Sequence, residues 1–445
     1  MRSLHIVFAS IAVGLTILLL LVSVVVPGET NAIQSRSIGY ALNLGHGATR
    51  DSQVHQAAVR FAQNIARLTN GRVEVNVHPR NALGSDHALV EMARKGDLDF
   101  VISPSSVLSI ASPSLHFPEL PFYFSSSSEL DHLLDGAVGT ELTTDLREVG
   151  LHGLGFWYGG SKHILARKPV TSLADFDGLR IQISPSRLVR EQMAHLGAKP
   201  LILKKSDTHA ALLLDKISGV EGSLTDLLRV QISSQEQGIK PLDYLSLTEH
   251  GYQSLVLTAS AGLIRKLPES IKLAIFESAR DATQWQRQKT LRQSSDLIKQ
   301  IESQGTKVVS LSGQERNQIA HRLKTMIERY EPEIGANILV KADQYFFDEY
   351  GPQADGVDHF VIGINANFSS ASTNGLALKQ GLLIAVDEIN QAGGLFGKPL
   401  YILAKNHKQS ASLRAHNLNS LQNRDDMLAI FEGGTSNQPI TLKPE

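Results

Sequence analysis

The 445-residue chain offers little covalent chemistry. It has no cysteine, so thiolate nucleophiles and disulfides are excluded. It contains no Gly-x-Ser-x-Gly elbow, no His-Glu-x-x-His helix motif and no phosphate-cradling glycine loop. Its 16 histidines are scattered, without the paired spacing of a metal site, and no cofactor is implied. Two other sets of residues have chemistry suited to binding. Ser103 ends, and Ser105 follows, the run Leu98 to Ser103 that reads as a central strand; open α/β sheets expose ligand contacts at such ends. Trp157 and Tyr158 have rings able to stack on an organic molecule or to pack in a core.

The elements that must position these residues alternate between strand and helix. SIGYALNL from Ser37 reads as an opening strand, and 53–69 as a helix with Val54, Ala58, Phe61, Ala62 and Ile65 on one face. RVEVNVHP alternates like a half-buried strand; helix 85–95 ends near Gly96. The serines at 125–128 stand where a helix cap is needed. After Leu267-Pro268-Glu269 a helix of roughly 35 residues begins, longer than a small domain is wide. It must cross more than one lobe. A second helical stretch covers about 313–345.

Composition bounds the class. Apolar residues make up 42% and charged residues 20%, enough to build large cores. A net charge of −1 gives no drive toward nucleic acid. Ile6 to Val26 is uncharged over about 21 residues, roughly 30 Å as a helix, which suffices to cross a bilayer. With Arg2 before it and Glu29 after it, the remaining chain is expected outside the cytoplasm. Two readings of 1–32 stay open. Thr30 and Ala32 are spaced like a signal-peptide cleavage site, whereas the length of the apolar run suits a retained single anchor.

The blocks VHPRNALGSDHALVEMARKGDLDF (77–100), LPFYF (120–124), FWYGGSKHIL (156–165), KPVTSLADFDGLRIQIS (168–184), LGAKPL (196–201), GVEG (219–222) and LTEH (247–250) occur in one order over some 310 residues. In that order they resemble the solute-binding component of TRAP transporters. The resemblance implies an α/β fold of two lobes joined by crossing strands and a long helix, over 37–350. It also implies a small-molecule solute, an organic acid, passed to membrane permease subunits. The family's carboxylate-binding arginine ends a Gly-Leu-Lys-Ile-Arg run; this chain has Gly178-Leu179-Arg180-Ile181-Gln182, so an uncharged Gln182 occupies that place. Arg180 lies on the same strand face about 6–7 Å away, as a ligand contact or as a solvated base. Lys168 falls where relatives place a second basic contact. Thr225 sits nearest the amide that follows the Val-Asp-Gly block, with Glu221 as a structural acid. His46, Thr49 and Arg50 occupy the loop that relatives use as one wall of the cleft.

After a linker at 351–357 the pattern restarts. Over 358–445, HFVIGINAN, a helix ending at Gly393-Gly394, KPLYILAKN, a helix near 410–424 and MLAIFEGG make a βαβαβ unit. Ala385-Val386-Asp387-Glu388-Ile389-Asn390 with Gly393-Gly394-Leu395-Phe396-Gly397-Lys398 resembles the opening of a type I periplasmic binding protein. Only part of such a domain is covered, leaving a sheet edge unpaired and one lobe absent. In that family the loops bearing Ser369, Ser370, Ser372, Thr373, Thr435 and Ser436 hold ligand. A membrane-anchored ligand-sensing receptor is the competing function, since receptors use similar modules.

Overall fold

A computed structural model describes residues 39–124, 126–203, 207–350, 358–368, 373–433 and 441–442. Residues 1–38 are outside these, and the signal or anchor segment with them. Among the described residues no helix is long and apolar enough to cross a membrane.

The first lobe grows from β1 (Tyr40–His46), β2 (Val73–His78) and β3 (Phe100–Pro104), which pair in parallel as β2-β1-β3. Helix Gln53–Leu68 returns from β1 and buries Ala57, Ala58, Phe61 and Ile65, the apolar face visible in its sequence. Ser52 caps its start by accepting from the His55 N–H. Ser85 does the same for Asp86–Lys95, which ends at Gly96 with φ 86°, a left-handed turn that glycine takes without strain. Of the serines at 125–128, Ser126 is the cap of helix Ser127–Asp135.

The second lobe contains β5 (Arg180–Ile183), β6 (Lys199–Ile202), β7 (Gly219–Ser223), β8 (Tyr244–Leu247) and β10 (Lys307–Ser310). Two strands serve both lobes. β4 (Leu151–Ala166) pairs with β9 (Tyr252–Ser260) in its first part and with β7 and β8 in its last. β9 also pairs antiparallel with β3. The β4–β9 register slips between Tyr158 and Ser161, where Gly159 and Gly160 (φ 107°) lie. That irregularity sits where the chain passes from one lobe to the next.

Helix Glu269–Ser303 spans both lobes, as its length required. Polar groups pin it to β4. The Gln286 amide donates to the Tyr158 carbonyl at 2.7 Å and accepts from the Tyr158 N–H at 2.8 Å. The Arg287 guanidinium donates to the Phe156 carbonyl, and the Trp157 indole donates to Thr283 Oγ1. The stretch expected as one helix over 313–345 is two, Gly313–Ile334 and Ala336–Tyr350. Gly335, at φ 93°, cannot continue the helical path and turns the chain.

The last unit is a separate sheet. β11 (Phe360–Ala366), β12 (Leu400–Asn406) and β13 (Met427–Gly433) are parallel in the order β12-β11-β13, with helices Thr373–Gln391 and Ala411–Gln422 as crossovers. β14 (Thr441–Leu442) pairs antiparallel along β13, covering the edge expected to be bare on that side. Helix Ala336–Tyr350 is shared: Ile338, Leu339 and Ala342 pack into the first-lobe core, while Ala336, Val340 and Phe347 pack against the last sheet.

Candidate functional site

A cavity of about 940 Å³ opens between the lobes. Its first-lobe wall is the loop after β1, with Ile102 and Pro104 from β3. Its floor is the crossing strands at Tyr158–Ser161 and Gln253, and its second-lobe wall is the start of helix Leu224–Glu236. The parallel strands β1 and β3 end at this cavity, the place where open α/β sheets expose their loops to ligands.

His46 lines the cavity and is fully buried. Its Nδ1 accepts from the Ala48 N–H at 3.1 Å, so the ring proton sits on Nε2 and is donated to His55 Nδ1 at 3.2 Å. Burial, with His55 nearby, brings the His46 pKa down to about 4, so it is a neutral hydrogen-bonding group at neutral pH. Thr225 lies on the opposite wall, behind Ser223, which caps the helix by accepting from the Asp226 N–H.

The other expected contacts are placed elsewhere. Ser103 lies between Ile102 and Pro104, and strand alternation turns its side chain to the opposite face of the sheet, where Oγ is buried with no hydrogen-bond partner among the described residues. Trp157 is packed in the first-lobe core against the long helix; Tyr158 is the ring on the cavity wall. Lys168 is exposed and off the wall. Arg180 points outward, its Nη2 2.9 Å from Asp215 Oδ2. Gln182 is buried with its Oε1 accepting from Thr208 Oγ1 at 2.7 Å, and it does not reach the cavity. Ser369, Ser370, Ser372, Thr435 and Ser436 lie outside the described residues.

Beneath the cavity floor is a set of buried charges around Glu221, the acid read as structural, whose partners Lys162, Glu119 and His250 the sequence reading did not single out. Lys162, one residue along β4 from the wall residues Ser161 and His163, places Nζ 3.7 Å from Glu221 and 4.0 Å from Glu119. Glu119 accepts from Ser105 Oγ at 2.8 Å, and Glu221 accepts from the Ser184 N–H at 2.9 Å. His250 Nε2 stands 3.7 Å from Glu221. Burial opposes ionisation of Glu221, yet Lys162, His250 and the Ser184 N–H outweigh it and bring its pKa down to about 2. Burial and the neighbouring His250 bring His163 down to about 3. The Lys162 ammonium is therefore spent on two carboxylates. Among the described residues no cluster of acids and histidines could hold a metal ion.

Residues 44–333 match the model of the bacterial extracellular solute-binding proteins, family 7, the DctP type. The chain belongs to this family. Among relatives, a solute-binding protein of Roseobacter denitrificans is 28% identical, over 61% of this chain and 82% of its own. The 2,3-diketo-L-gulonate-binding periplasmic protein of Escherichia coli is 24% identical, over 68% and 92% respectively. The crystal structure of a sugar acid binding protein from Advenella mimigardefordensis, in complex with galactonate, superposes with a TM-score of 0.61 at 25% identity, covering 68% of this chain and 96% of that one. Family members are TRAP-type solute-binding proteins, so this is a binding protein of transport rather than an enzyme. The resemblance read from the sequence blocks and the fold it implied are both upheld. The matched region stops at residue 333, so the last unit is not part of it.

Proposed function

We propose that the cleft between the lobes captures a small organic acid outside the cytoplasm and delivers it unchanged to membrane permease subunits. One observation carries this reading: in a family of solute-binding proteins, the cavity of about 940 Å³ lies where two lobes meet and is walled by both. Its size suits an organic molecule rather than a lone ion. A C4-dicarboxylate-binding protein of Bacillus subtilis, 24% identical, and the diketogulonate-binding relative are named for acids. Capture for transport fits these relatives better than a sensory receptor. The test is mass spectrometry of whatever compound co-purifies with the full chain and is released on unfolding. An organic acid at near-stoichiometric amount is expected; a neutral sugar or a peptide would refute the reading.

We further propose that 358–445 is a partial type I periplasmic-binding-like unit with no cleft of its own. Its parallel β12-β11-β13 order with two crossover helices supports this. For residues 1–32, N-terminal sequencing of the mature protein separates a removed signal peptide from a retained anchor.

A further inference from the structure

Which charged groups face the cleft limits what it can hold. Among the described residues that line it, Arg229 is the lysine or arginine present, against the carboxylates of Asp51, Asp86, Asp226 and Glu249. The other basic residues singled out from the sequence, and the buried Lys162, do not line it: Lys162 lies between two buried acids, Arg180 pairs with Asp215 on the surface, and Arg50 and Lys168 are exposed and off the wall. Burial keeps the wall histidines His46 and His163 neutral near pH 7. We infer that Arg229 has taken over the carboxylate-binding role from the arginine that relatives carry where this chain has Gln182, and that the ligand bears a single carboxylate on an uncharged, hydroxylated frame. This rests on the organic-acid reading above.

Arg229 is well placed for that role. It lies one helical turn beyond Thr225, on the same face of helix Leu224–Glu236. Its Nη2 donates to Thr49 Oγ1 on the opposite lobe at 2.6 Å and forms an ion pair at 3.8 Å with Asp51, a carboxylate that, unlike the two buried acids around Lys162, is exposed to water. The fork is thus oriented across the cleft, and the bond to Thr49 engages only part of its donor set. A second carboxylate on the ligand would face the four acids with no further cation, and burying an unpaired anion is costly. Two wall residues point to hydroxyl donors instead. Gln53 Oε1 and Asn81 Oδ1 are buried acceptors with no hydrogen-bond partner among the described residues, and a ligand O–H would satisfy each.

Calorimetry on the full chain tests this with galactonate and lactate, which carry one carboxylate, against galactarate and succinate, which carry two. A one-carboxylate acid is expected to bind tightest. For that acid, Arg229→Gln is expected to weaken binding by about 10–100-fold, the loss of a charged hydrogen-bonded pair. Arg229→Lys, the second variant should Arg229→Gln fail to fold, is expected to lose less because the charge remains. Thr49→Val, which removes the cross-cleft bond and keeps the cation, is expected to lose less than Arg229→Gln, and Lys168→Gln, off the wall, to bind as the parent does. If Thr49→Val loses as much as Arg229→Gln, Arg229 is a latch and the assignment falls. It falls equally if an acid binds and the Arg229 variants bind it as the parent does, or if galactarate or succinate binds tightest. In those cases the organic-acid reading survives. If none of the acids binds, that reading fails and takes this inference with it.

Discussion

The site turns on which side chains spend their charge on the protein and which keep it for a ligand. Lys162 is spent: it sits between Glu119 and Glu221, all three nearly inaccessible to water. Lys162→Met is therefore expected to destabilise the protein by about 3–5 kcal/mol, because two buried carboxylates lose their counter-charge. Urea unfolding at pH 7 measures it; a loss under 1 kcal/mol would mean that the acids are protonated or solvated. The same groups set the acid response. The folded-state pKa of Glu221 is depressed to about 2 from 4.5, and those of His46 and His163 to about 4 and 3 from 6.5. Depressed values mean that the unfolded chain binds more protons, so stability rises with pH across each gap. The histidine contribution is full above 6.5 and is lost as pH falls toward 3; the Glu221 contribution is full above 4.5 and is lost toward 2. Unfolding free energy is thus expected to decline from pH 6.5 downward. His163→Gln should flatten the decline between pH 6.5 and 4.

At the scale of elements, the crossing strand and the long helix approach too closely to admit even a methyl group. A Cβ on Gly155 would fall 2.3 Å from Thr283 Oγ1, the atom that accepts from the Trp157 indole. Gly155→Ala is expected to cost about 1–3 kcal/mol as the helix is pushed from β4. Combining it with Thr283→Ala should recover part of that loss, and a double-mutant cycle in thermal unfolding reads the coupling. Gln286→Leu should cost about 1–3 kcal/mol, since the Tyr158 N–H and C=O would lose their buried partner. These elements were legible from sequence to different degrees. The long helix was, because its apolar face repeats for nine or so turns after a proline start. The break at Gly335 was not, because Ile334 and Ile338 continue the helical period across it.

At the scale of the molecule, the last sheet is not a loose appendage. Helix Ala336–Tyr350 gives one face to the first-lobe core and the other to this sheet, and Asn406 donates to Asn337 Oδ1 at 2.9 Å across the junction. Val340→Asp is expected to undock the sheet and speed proteolysis around 351–357. Solute affinity should not change, because the cleft lies in the other core. Affinity falling in step with proteolysis would show the two units to be coupled.

The sequence by itself determined the class, the family, the first strands and helices, the long helix and the βαβαβ pattern of the last unit. Local rules suffice there, since periodicity, capping residues and motif order involve neighbours in the chain. It could not say that Ser103 faces away from the cleft, that Gln182 is held by Thr208, or that Arg229 faces Thr49 180 residues earlier. Which face of a strand meets a cavity depends on how two sheets are set around the crossing strands. Which cations remain for a ligand depends on which carboxylates the fold brings beside them. Both were decided by contacts between residues distant in the chain.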